Sequence, residues 1–284
     1  MSLSEQTVQV NGGAVHYWEI GRGNGRALLL LHGGLGDAAL HWKPVMPLLA
    51  EEFHAIAPDL PGFGQTPAVP ALQIKTLVAW IASFLGAIEV DQAVIIGSSL
   101  GGVVARLFAA AYPARVPAAI LINGGGVPDM PGFLRTLERL PVISNLVFGQ
   151  LGRMGTSANT LKRMVHNPDI LTLDFAQQVR AAAPGYAALM RMLAASPPPD
   201  AQTPMVPTLI LWGANDQIAT IQEAEAVKAS IPGATLTTIE QCGHLPQLEA
   251  PDVFVWQVSN FLDRLSRPKR GDLPGVGPLR DMPG

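Results

Sequence analysis

The stretch Ala93-Val94-Ile95-Ile96-Gly97-Ser98-Ser99-Leu100-Gly101-Gly102 constrains this chain more than any other. The apolar run Ala93–Ile96 reads as a short buried strand. Leu100–Ala111 reads as a helix, Ala-rich, with Val103, Leu107 and Phe108 at helical spacing. Between them lies Gly-x-Ser-x-Gly. A strand that turns this sharply into a helix needs glycine on either side, because a Cβ at those positions would meet the neighbouring backbone. The serine is then held in strained backbone with its hydroxyl clear of both elements. That geometry presents a nucleophile.

The rest of the chain supplies the layers around this turn. Thr7–Val10 and Ala14–Ile20 flank Asn11-Gly12-Gly13 and read as a β-hairpin. Further strands are expected at Arg26–Leu31, Phe53–Ala57, Ala118–Ile122, Thr208–Trp212 and Ala234–Ile239. Helices are expected at Val45–Glu52, Leu72–Ile88, Gln222–Ser230 and Pro251–Leu265. Continuous apolar strands alternating with helices imply an α/β fold whose mainly parallel sheet is covered on both faces. The alternation breaks after Asn123. Residues 124–203 carry helical stretches separated by Gly and Pro and no strand pattern, so they read as a helical cap inserted into a core of residues 1–123 and 204–265. Residues 266–284 are rich in Pro, Gly and Arg and are expected to be disordered.

Composition limits the partners. The chain has 284 residues, 48% hydrophobic and 14% charged, with a formal charge of −3. No basic excess marks a nucleic-acid surface, and no apolar run reaches the ~20 residues of a membrane span. Met1–Val10 lacks the apolar core of a secretory signal, and the lone Cys242 cannot form an internal disulfide. A cytoplasmic location is the expectation.

A serine hydroxyl needs a base, and the base needs an orienting acid. Both stand after strands. Thr208–Trp212 runs into Gly213-Ala214-Asn215-Asp216, and Ala234–Ile239 leads to Gly243-His244. Ser99, Asp216 and His244 therefore leave the carboxyl ends of parallel strands, where sites form in such sheets. The oxyanion formed on attack needs two N–H donors: Leu100, opening the helix after Ser99, and Gly34, in the loop after the Arg26–Leu31 strand. No His-Glu-x-x-His pair or other metal spacing stands out, and Gly124-Gly125-Gly126 lacks the Lys of a phosphate loop. Neither metal nor cofactor is expected.

His32-Gly33-Gly34, Asp59-Leu60-Pro61-Gly62-Phe63-Gly64, the Ser99 turn, Gly213-Ala214-Asn215-Asp216, and Gly243-His244 followed by Glu249-Ala250-Pro251 occur in that order. With them the chain resembles the α/β-hydrolase superfamily, in its cofactor-free serine branch. The resemblance covers nearly all of the chain outside the cap and tail. It implies the α/β-hydrolase fold with an inserted cap and a Ser99–His244–Asp216 triad. It also implies hydrolysis of carboxylic esters of small to medium hydrophobic substrates. Relatives of this kind also include C–C hydrolases of meta-cleavage products, enol-lactonases, perhydrolases, and receptors that keep the triad with little turnover. Serine at position 99, not aspartate, separates the chain from haloalkane dehalogenases and epoxide hydrolases. C–C hydrolases usually carry Asn before the nucleophile and Trp after the histidine, where this chain has Ser98 and Leu245.

Other residues have simpler readings. His32, Asp59 and Gly62 are expected to shape loops, Glu249 to support a helix start, and Cys242 to fill space. Asn123 occupies a strand end where some relatives place the acid. Met130, Met154, Met164, Met190 and Met192 fall in the cap, either as a pliable lid over an apolar substrate or as the cap's own core.

Overall fold

The computed structural model describes residues 2–70, 72–126, 131–138, 140–196 and 203–266. Strands β1 (Ser4–Val10), β2 (Gly13–Ile20), β3 (Ala27–Leu31), β4 (His54–Pro58), β5 (Val94–Ser98), β6 (Ala119–Ile122), β7 (Thr208–Gly213) and β8 (Thr235–Ile239) form one sheet in the order β1-β2-β4-β3-β5-β6-β7-β8. The hairpin end is antiparallel and every pairing from β4 onward is parallel. Asn11 and Gly12 both take positive φ, at 51° and 83°. That is the two-residue turn whose twist matches the strands it joins.

The central strands are apolar throughout because both faces are covered. Leu29, Leu31, Ile95, Leu121 and Trp212 point to one side. They pack against α3 (Ile74–Ala87) and α4 (Leu100–Ala111), whose Phe84 and Phe108 are buried there. Leu28, Leu30, Ile96, Ile120 and Leu211 point to the other side. There they meet Trp42 of α1 (Ala38–Trp42), Leu49 of α2 (Met46–Leu49) and Phe254 of α12 (Pro251–Ser266). Each fully buried side chain of this size contributes roughly 1.5–3 kcal/mol.

Two sequence expectations change in detail. The helix expected over Val45–Glu52 is a single turn, Met46–Leu49, and it is preceded by the unexpected α1. That helix starts because Asp37 caps it, its carboxylate accepting the Leu40 N–H at 2.9 Å. Five residues are too few to show a helical period. Ser266, expected to begin the tail, still belongs to α12; residues 267–284 lie outside the described residues.

Between β6 and β7 the described residues form α5 (Gly132–Glu138), α6 (Pro141–Gly155), α7 (Ala158–Met164), α8 (Leu173–Ala181) and α9 (Ala183–Ala195). They lie at the carboxyl end of the sheet, where Tyr186 and Leu189 of α9 sit over Gly34. A separate apolar cluster fastens them down: Leu161, Met164, Phe175 and Val179 pack against Leu35, Leu40 and Leu245. Helix α10 (Ile221–Ala229) follows β7, and the short α11 (Pro246–Glu249) precedes α12.

Candidate active site

Ser99 has φ 54° and ψ −115°, a backbone conformation that side chains rarely adopt. Its surroundings impose it. The Ser99 N–H donates to the Ile122 carbonyl of β6 at 2.8 Å, and its carbonyl accepts from Gly102 N–H at 3.0 Å. A Cβ at Gly97 would collide with the Gly101 carbonyl, and one at Gly101 with that of Leu31. The glycines are there because backbone crosses backbone. Gly124 answers to the same logic, since a Cβ there would strike the Ser99 carbonyl.

The acid and base come from beyond β6, at the ends of β7 and β8. His244 Nδ1 and Asp216 Oδ2 are 2.6 Å apart, and both side chains are almost wholly buried. The other carboxylate oxygen, Oδ1, accepts the Ile218 N–H at 2.7 Å and the Ala219 N–H at 3.0 Å. Asn123 completes this shell. Its Nδ2 donates to Asp216 Oδ2 at 2.6 Å, and its Oδ1 accepts the Gly213 N–H at 3.1 Å. The strand-end position where some relatives carry the acid therefore holds the acid's partner, with φ at 43°. With Nδ1–H committed to Asp216, the lone pair of Nε2 is the imidazole's basic position. Ser99, His244, Gly34 and Leu100 all line one cavity of about 520 Å³. Asp216 stands behind His244. The five residues expected to act together are thus gathered at one place.

His32 turns out to aim a donor. Its Nε2 accepts the Leu60 N–H at 2.9 Å, which leaves Nδ1 to donate to the Gly33 carbonyl at 2.7 Å. In a planar trans peptide the N–H points opposite to the C=O. Holding the Gly33 carbonyl on His32 therefore turns the Gly34 N–H the other way. Burial holds the His32 pKa below its usual value, which keeps the ring neutral in this role. Leu100 is the first residue of α4, so its N–H has no intrahelical acceptor. Asp59 shapes loops as expected: it accepts from Ala38 N–H and Gln65 N–H, each at 2.9 Å, and pairs with His16 at 2.7 Å.

Glu249 does more than support a helix start. Its Oε1 accepts the N–H groups of Gly243 and Leu245, on either side of His244, at 3.0 and 3.4 Å. Its Oε2 accepts those of His166 and Asn167, after α7, at 2.6 and 3.0 Å. One carboxylate thus ties the histidine loop to the segment between β6 and β7. The methionines divide: Met190 lines the Ser99 cavity, Met192 lines a second cavity beside it, Met164 is buried in the docking cluster, and Met154 is exposed. Met130 lies outside the described residues. Cys242 is buried, and desolvation, then Glu249 and Asp216, push its thiol up to about 12, so it stays protonated and inert. Among the described residues no group of three or more His, Cys, Asp or Glu is placed to hold a metal, and no helix is long and apolar enough to cross a membrane.

A family model described as "Alpha/beta hydrolase family" matches residues 28–258. The 2-hydroxymuconate semialdehyde hydrolase of Pseudomonas sp. strain CF600 is 30% identical over 257 residues, spanning 84% of this chain and 88% of that protein. Among solved structures, a bacterial membrane phospholipase A superposes with a TM-score of 0.73 at 27% identity, over 94% of this chain and 87% of the other. A thermophilic esterase from Thermogutta terrifontis gives a TM-score of 0.78 over 93% and 100%; at 24% identity it speaks for the fold alone.

Proposed function

The chain belongs to the alpha/beta hydrolase family, and from that premise we propose that it hydrolyses carboxylic esters of small to medium hydrophobic substrates through an acyl-enzyme. The observation that carries this reading is the 2.6 Å pair of His244 Nδ1 and Asp216 Oδ2 behind a cavity shared by His244 and Ser99. In the reaction, His244 Nε2 takes the proton as Ser99 Oγ attacks the ester carbonyl. Asp216 stabilises the imidazolium, and the N–H groups of Leu100 and Gly34 receive the oxyanion. Collapse expels the alcohol, which takes the proton from His244. Water then attacks the acyl-enzyme with His244 again as base, releasing the acid and restoring Ser99. Val103, Leu189, Leu193 and Trp212 make much of the cavity wall apolar, which supports a hydrocarbon substituent.

A second reading is C–C hydrolysis of a meta-cleavage product, which the likeness to a 2-hydroxymuconate semialdehyde hydrolase supports. Ser98 and Leu245, where C–C hydrolases usually carry Asn and Trp, support the ester reading. Ser98 is buried away from the cavity, its hydroxyl 3.3 Å from Gln247 Nε2, and Leu245 is buried in the docking cluster. Neither borders the cavity.

The test is turnover of p-nitrophenyl esters from acetate to dodecanoate by wild type and Ser99→Ala, beside a coloured meta-cleavage product. We expect multiple turnovers on esters and a fall of roughly 10⁴–10⁶-fold in kcat for the variant. Bleaching of the meta-cleavage product with no ester turnover would establish the second reading. Release of less than about one product per enzyme would point to a ligand-binding member of the family.

A further inference from the structure

Arg106 takes no part in that scheme, yet it borders the same cavity as Ser99 and His244. It lies on α4 on the same face as Ser99 and Val103, at helical spacings of four and then three residues. A rise of 1.5 Å per residue puts its Cα roughly 10 Å along the axis from Ser99. Helical side chains lean back toward the N-terminus, which brings the guanidinium nearer to the nucleophile. The wall between them is apolar, formed by Val103, Leu193 and Trp212.

Arg106 is a buried residue whose guanidinium faces the cavity with no ion-pair partner among the described residues. The residue is 7% exposed. Its Nη1 donates to the Gly125 carbonyl at 3.0 Å, which pins the head group beside the strand end next to Ser99. Among the described residues no carboxylate pairs with it. Glu223 also borders the cavity, but its Oε2 accepts the N–H and hydroxyl of Thr220 at its own helix start. Desolvation alone lowers the Arg106 pKa, with no neighbouring charge opposing it. A guanidinium remains charged even so, and one carbonyl satisfies one of its five donors. A buried cation without a counter-charge is costly in an empty site and favourable once an anion arrives.

We propose that Arg106 is the carboxylate subsite of the Ser99 cavity, and that the ester cleaved there carries an acyl chain ending in a carboxylate. This rests on Ser99 as the nucleophile. The planar guanidinium matches a carboxylate in shape as well as charge, and the apolar wall between suits the intervening methylenes. The substrates implied are half-esters of α,ω-dicarboxylic acids, with the chain length set by the span from Ser99 to Arg106.

Two measurements separate this proposal from the catalytic reading beneath it. The first is calorimetric binding to Ser99→Ala of monomethyl half-esters from succinate to suberate, against methyl alkanoates of matching length. We expect the half-esters to bind roughly 10–100-fold more tightly, with an optimum length. That preference should vanish in Ser99→Ala/Arg106→Met and be intermediate with Arg106→Lys, which keeps the charge and loses the fork. Equal binding of half-esters and neutral esters by Ser99→Ala overturns the subsite without any Arg106 variant needing to fold. The second is wild-type turnover, where we expect kcat/KM to favour half-esters by a similar ratio through KM. Tight, Arg106-dependent binding with no turnover of any ester would uphold the subsite and overturn the esterase reading.

Discussion

The two walls of the Ser99 cavity are built on different principles. On the sheet side, directional bonds hold Asp216, His244 and the Gly33 carbonyl. Asp216 accepts from His244, Asn123, Ile218 and Ala219, and His32 holds the Gly33 carbonyl. On the α9 side, Tyr186, Leu189, Met190 and Leu193 face the cavity with apolar surface. Hydrogen bonds are steep in distance and angle and fix atoms to a fraction of an ångström. Apolar contacts are non-directional and tolerate changes of shape at similar volume. On the proposed reading, the chemistry common to all substrates belongs to the directional wall and substrate choice to the adaptable one.

Glu249 ties the histidine loop of the first wall to the segment after α7, so its removal offers the largest test of this contrast. Glu249→Ala would strand four backbone N–H groups, two beside His244 and two after α7. We expect kcat to fall roughly 10–100-fold, since the part-buried donors beside His244 would lose their acceptor, at about 1–3 kcal/mol each, and let the histidine shift. Hydrogen exchange at residues 164–167 should rise in parallel. Slower catalysis with unaltered exchange there would mean that the clamp acts on the histidine loop alone.

A smaller effect should separate the methionines of the segment between β6 and β7. Met190 lines the cavity and Met154 is 57% exposed. Met190→Ala should shift the preferred acyl length toward longer chains by about two methylenes, consistent with the volume it vacates. Met154→Ala should leave the profile in place. Equal losses across all chain lengths, tracking melting temperature in both variants, would make the methionines mere packing and blur the contrast between the walls.

The smallest effect concerns acid stability beneath the rigid wall. His41 is buried, with Nε2 donating to the Leu35 carbonyl at 3.1 Å and Nδ1 facing Gln247 Nε2 at 3.3 Å. Desolvation, with His32 adding to it, lowers its pKa from 6.5 to about 3. The folded chain therefore keeps His41 neutral where the unfolded chain protonates it. Stability is fully present above about pH 6.5 and is lost progressively as the pH falls toward 3. Melting temperature followed from pH 7 to 4 should fall less steeply for His41→Gln. Parallel slopes would mean that His41 is not the group that couples folding to protons.

The elements that nearest neighbours dictate were legible in the residues themselves. Gly97 and Gly101 announced a tight crossing, and unbroken apolar runs such as Leu28–Leu31 announced strands covered on both sides. The order of Ser99, Asp216 and His244 at the ends of three parallel strands followed from the same alternation. What stayed hidden depends on contacts between distant segments. Asn123 meets Asp216 because β6 and β7 are adjacent and parallel, a pairing that the residues at either end do not encode locally. Glu249 reaches residues 166 and 167 because α7 docks on the histidine loop. Arg106 looks like an ordinary helix surface residue until α4 and α10 are brought to line one cavity. Short-range sterics act along the chain and leave a pattern in it. The positions of buried charges are settled by packing, which brings together groups that the chain keeps far apart.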